Sequence, residues 1–192
     1  MRRLSVWIGL AVLAGSMLPL PMPMTVGTAA AGPMVAAAAP KWLPALAARQ
    51  QTLSITVPAT RSYGAGFRGS TIGGQLGTVT VRDFRSISPN VWVATVSSSL
   101  YTTGGATPPE TIGNGQVSYW SGPATSTSGG GTRVPGQPTS AAAVVLSVPR
   151  TAFSKTSGNA NNTVAWNPTV SIAVPTGAIA GAYTGTITHS VA

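Results

Sequence analysis

Tyr183-Thr184-Gly185-Thr186-Ile187-Thr188-His189-Ser190-Val191 alternates without a break. Tyr183, Gly185, Ile187, His189 and Val191 fall on one side, and Thr184, Thr186, Thr188 and Ser190 on the other. Successive side chains of a β-strand point to opposite faces, so this stretch reads as a strand with a hydroxyl face toward water and an apolar face toward a core. His189 then stands with Ile187 and Val191. That position predicts a buried, neutral imidazole, because burial disfavours the charged form.

The same two-residue period recurs upstream. Leu53, Ile55 and Val57 share a face against Ser54 and Thr56, and Gly77 to Val81 repeats the pattern. In Val91-Trp92-Val93-Ala94-Thr95-Val96, Trp92, Ala94 and Val96 share a face, which predicts a core role for Trp92. Val117 to Trp120, Ala143 to Val148, Val164 to Trp166 and Val170 to Val174 complete about eight strands. Pro58, Pro149 and Pro175 each follow a Val and stop a ladder, since proline has no N–H to donate. No window beyond Gln51 has a helical period. Short strands separated by Gly, Pro and Ser predict an all-β fold, an antiparallel β-sandwich in a single domain over residues 52–192. Tyr101 to Glu110 and Gly122 to Thr139 read as long loops.

The opening of the chain has a different grammar. Arg2 and Arg3 precede an uncharged run from Leu4 to Leu18, and Pro19, Pro21 and Pro23 then stop it. A positive start and a short apolar stretch are the marks of an export leader, too short for a comfortable membrane span. The expected organisation is a signal peptide over 1–38, cut between 31 and 38, then a linker over 39–51. The product is expected to be secreted, extracellular or cell-wall associated, with no membrane span after cleavage.

Composition narrows the chemistry. The 192 residues include 11 Lys and Arg, 2 Asp and Glu, 1 His and no Cys, a formal net charge of +9. Only 7% are charged, against about 25% in typical soluble domains. Disulfides, thiol nucleophiles and thiolate metal sites are excluded, and too few carboxylates remain for a protein-only metal cage. The expectation is a non-enzyme with no catalytic residue, metal or cofactor.

Individual motifs agree. Gly64-Ala65-Gly66-Phe67-Arg68-Gly69 matches a dinucleotide fingerprint in letters, but no helix start follows it to hold a pyrophosphate. Asp83 and Glu110 are the only carboxylates. Asp83 lies beside Arg82 and two residues before Arg85, so a structural ion pair with Arg85 is favoured over a general acid. His189 has no nucleophile elbow to serve. In Tyr119-Trp120 one neighbour must face outward, and beside a Ser/Gly-rich loop the pair is the candidate glycan contact. The arginines are scattered, which does not make a nucleic-acid stripe; outside a cell, positive charge suits anionic polymers.

Two stretches carry a family resemblance. Leu76 to Arg85 followed by Val91 to Ser97, together with the ending Ala180 to Ala192, resembles the WxL-domain secreted cell-surface proteins of Gram-positive bacteria, in a diverged actinobacterial form. Trp92 matches the Trp of the first motif, with Ala94 in place of Leu. Tyr183 matches the C-terminal Tyr, with His189 and Val191 in place of Trp and Leu. The resemblance implies a β-sandwich attached non-covalently to the wall through peptidoglycan. The expected partner is thus a cell-wall glycan or anionic wall polymer, with protein partners at the surface as the rival. In that rival the chain is a structural or adhesive subunit assembling through strand edges.

Overall fold

The structure is a computed structural model and describes residues 4–11, 52–159 and 161–192. Most of the expected leader, its cleavage region 31–38 and the linker 39–51 lie outside the described residues. The chain is all-β, with three short 3-10 turns as its helical elements among the described residues.

The largest sheet runs in the order β11 (Arg133–Pro135), β13 (Arg150–Lys155), β6 (Trp92–Ser98), β16 (Ala182–Val191), β1 (Leu4–Ala11) and β3 (Thr60–Ser62). Two short strands, β7 (Tyr101–Thr102) and β8 (Thr111–Ile112), extend it beside β16. The second sheet is β10 (Ala124–Ser128), β14 (Asn162–Trp166), β5 (Val79–Asp83) and β2 (Leu53–Thr56). The third is β12 (Val144–Val145), β9 (Val117–Trp120), β15 (Thr169–Ala173) and β4 (Thr71–Gln75). All pairings are antiparallel except β1 with β3.

The large sheet packs on the other two as a sandwich. Phe153 of β13 stacks on Trp166 of β14 with ring centroids 5.0 Å apart, and His189 of β16 meets both Trp166 and Tyr119 of β9. The core draws from every sheet: Trp92, Ala94 and Val96; Val79, Val81 and Val164; Val117, Val170 and Ile172. Each set keeps the alternation legible in its strand, since only every second residue can reach the space between layers. On β16 the inward face is Tyr183, Gly185, Ile187, His189 and Val191. Gly185 is needed there: a Cβ would lie 2.7 Å from the Tyr101 ring, which covers the strand at that point.

The strand count differs from expectation. Sixteen strands lie among the described residues, where about eight were read. Gly122 to Thr139, expected as loop, holds β10 and β11, both at sheet edges. Nearly all of Ala124–Ser128 is exposed, so it has no buried face to show in the sequence. The other expected loop holds β7 and a 3-10 turn over Pro108–Glu110. Within β13, Ala152 and Phe153 are both buried because the register with β6 shifts between Thr151 and Phe153, which erases the two-residue period.

Candidate functional site

Each ionisable or aromatic side chain singled out from the sequence has a definite place. Asp83, at the end of β5, is fully buried, and its carboxylate accepts from Arg85 Nε at 2.9 Å and Arg85 Nη2 at 2.8 Å. The Arg85 backbone N–H also donates to Asp83 Oδ1 at 3.0 Å. The bidentate fork is the geometry in which arginine holds a carboxylate best. That bond raises the Arg85 pKa further above its already basic value.

The pair opens a longer network. Arg85 Nη2 donates to the Val91 carbonyl, and Asn90 Nδ2 to the Arg85 carbonyl. Asn162 Nδ2 donates to Asn90 Oδ1 at 3.0 Å, and Trp92 Nε1 to Asn162 Oδ1 at 3.0 Å. Lys155, 1% exposed, donates its ammonium to the carbonyls of Asn90 and Gly158. Desolvation lowers the Lys155 pKa, opposed by the nearby Asp83 charge. Trp92 is therefore a core side chain whose one polar atom is satisfied, at 2% exposure.

His189 is enclosed elsewhere in the core. Trp166 Nε1 donates to Tyr119 Oη at 3.3 Å, and Tyr119 Oη lies 3.3 Å from His189 Nε2. The hydroxyl and Nε2 share one hydrogen bond, and the other ring nitrogen, Nδ1, is buried without a partner. Desolvation pushes the His189 pKa down to about 3. The same enclosure drives the Tyr119 phenol well above its ordinary value.

One sequence expectation is adjusted here. Tyr119 is fully buried and cannot touch a glycan, because it faces inward from β9 to meet His189. The outward neighbour is Trp120, half-buried at the end of the strand. Tyr183 is also buried, its hydroxyl 2.9 Å from the carbonyl oxygens of both Pro109 and Ile179, which share its one proton. The two matched motif residues, Trp92 and Tyr183, thus lie inside the protein.

Glu110 caps its own 3-10 turn. Its carboxylate accepts from the Thr107 hydroxyl at 2.7 Å and the Thr107 N–H at 3.0 Å, which lowers its pKa. No cluster of three or more potential metal-binding side chains lies among the described residues. No helix among them is long and apolar enough to cross a membrane.

The feature that sequence reading passed over is Phe67. It is 87% exposed, in the loop that carries the glycine-rich letters, and Arg68 beside it is exposed as well. Together they border a recess of about 150 Å³ whose other walls include Val174, Ala178, Ile179 and Tyr183. The loop leads into strand β4, not a helix, so it builds no phosphate cradle. A large aromatic among glycines was the available signal, since nothing in such a loop can bury it.

Comparison with protein-family models, with curated proteins and with solved structures returns no match.

Proposed function

We propose that this chain is an exported, non-enzymatic β-sandwich that binds cell-wall or envelope glycan non-covalently. The observation that carries the reading is the pairing of an exposed aromatic and a cation, Phe67 and Arg68, over an apolar recess. The C–H face of a sugar packs on an aromatic ring, while a guanidinium meets a carboxylate or phosphate of an anionic wall polymer. A net charge of +7 without the leader's Arg2 and Arg3 draws the chain toward such polymers, and like-signed repulsion keeps it dispersed until it arrives.

The placement of the acid–base groups supports the non-enzymatic half. Asp83 is held by Arg85, Glu110 by Thr107, and His189 is sealed in the core. Each already has a structural task, and none borders the recess. The WxL resemblance supports a wall location through fold and export, not through a surface display of Trp92 or Tyr183.

The test is cosedimentation of the full chain with isolated Gram-positive cell walls across a salt series. Retention should exceed that of a control protein, and Phe67→Ala should weaken it about tenfold with unchanged melting. Arg68→Gln should flatten its salt dependence. Retention no greater than the control at physiological salt would sink wall binding.

A further inference from the structure

Strand β1 lies between two strands. It runs antiparallel to β16 over eight register pairs, from Leu4↔His189 to Ala11↔Ala182. On its other side it runs parallel to β3, at Trp7↔Thr60, Ile8↔Arg61 and Gly9↔Ser62. Without it, two strand edges would face a gap one strand wide, each with unpaired N–H and C=O groups. Leu4, Val6, Ile8 and Leu10 are the register partners of His189, Ile187, Gly185 and Tyr183, all buried on β16. The gap would therefore reach the core as well as the backbone ladder.

The residues that fill this slot are also the start of the segment that reads as an export leader. Forty-one residues separate Ala11 from Leu53 in the sequence, and neither neighbour of β1 in the sheet is β2, the next strand described. Nothing in the ladder itself requires its occupant to be covalently linked.

We propose that removal of the leader opens the slot between β16 and β3, and that an extended strand of a separate surface protein fills it. The proposal rests on the leader reading of residues 1–38 and is independent of glycan binding. The occupant's chemistry is set by what it must replace: about eight residues, uncharged, with apolar side chains at alternate positions. Leu4–Ala11 has that pattern. Beside the slot, β16 carries no charge, since His189 is neutral. A partner is favoured over a second copy because, without Arg2 and Arg3, nine Lys and Arg against two carboxylates still leave each chain at +7, and two such chains repel each other. Main-chain hydrogen bonds would supply affinity, and the apolar side chains at alternate positions of the incoming strand would supply specificity.

The probe is a synthetic peptide of the Leu4–Ala11 sequence with a solubilising lysine tail. In the full chain, Val6→Pro with Ile8→Pro removes the cis strand's ability to pair. This variant should bind the peptide saturably and melt higher in its presence. The unaltered chain, its slot filled by a tethered competitor, should bind about 100-fold more weakly. A variant that melts like the unaltered chain and binds no peptide would overturn the slot. Self-association of the variant without peptide would put a second copy there and overturn the partner assignment. A second measurement does not depend on the fold surviving two prolines. Thr188→Cys in the exported chain, from which the leader has been removed and which has no other cysteine, should form a disulfide with a peptide carrying Cys at the Ser5 position, its register partner. Crosslinking no faster than with a scrambled peptide would overturn the proposal. The leader reading is checked separately by sequencing the N-terminus of the exported protein. A terminus between residues 31 and 39 supports opening of the slot; retention of Leu4 would overturn occupancy in trans while leaving the peptide result intact.

Discussion

Two buried polar clusters of this sandwich keep their groups inside by opposite means. Around Asp83, every member is bonded to another: carboxylate to guanidinium, amide to amide, indole to amide, ammonium to carbonyls. Around His189, the environment is aromatic, and the imidazole makes a single 3.3 Å contact with Tyr119 and leaves Nδ1 unpartnered. Charge is retained in the first cluster because partners replace water. In the second it is suppressed because nothing does. Burial of an ionisable group is therefore no sign by itself of a reactive one: here one cluster binds its groups to one another and the other suppresses charge.

The largest expected effect comes from the polar cluster. Trp92→Ala should cost about 3–5 kcal/mol, because it empties a core position and also strips the donor from Asn162. Equilibrium denaturation measures it. A loss below about 1 kcal/mol would mean that Trp92 is peripheral to the core.

Breaking the ion pair should cost less. Asp83→Ala leaves the Arg85 fork and backbone N–H without their acceptor, but Arg85 is 26% exposed and can turn to water. A loss of about 2 kcal/mol is expected, and a cycle with Arg85→Ala should show coupling of about 1 kcal/mol. Strict additivity would contradict a network held by mutual pairing.

The aromatic cluster should reveal itself through pH. With its folded pKa lowered to about 3, His189 takes up a proton in the unfolded chain first as pH falls. Stability should therefore decline below the ordinary histidine range, by about 2 kcal/mol between pH 7 and pH 5. In His189→Leu that slope should vanish, whatever the change in absolute stability. Persistence of the full slope in the variant would assign it to other groups.

At the low end lies Glu110. It is an exposed cap on a three-residue turn, and Glu110→Gln should leave the melting curve unchanged, because an amide oxygen can still accept from Thr107. A marked drop would give this carboxylate a role that its surroundings do not show.

The contrast also marks where the sequence was legible. Alternation placed β16 to within a residue and put Trp92 and His189 on inward faces, because a core between two sheets imposes a period of two. The Asp83–Arg85 pair was legible from two-residue spacing alone. Long-range partners were not: Asn90 and Asn162 meet from 72 positions apart, and Lys155 looks like an ordinary surface lysine until the strands are laid down. Tyr119 and Trp120 could be recognised as one inward and one outward, but which was which depended on the pairing of β9 with β15. Edge strands, exposed on both faces, escaped for lack of any pattern. Phe67 escaped because a single aromatic among glycines carries no period to place it.

The claim that the chain's one imidazole is structural rests on its enclosure, and a titration of the His189 ring by NMR tests it most directly. The ring signals of the folded protein should stay at their neutral positions through the ordinary histidine range and move only near the low pKa of about 3, or on unfolding. A midpoint near 6.5 in the folded state would place the ring in contact with water. It would return His189 to the list of groups available for chemistry and contradict the non-enzymatic proposal at its strongest point.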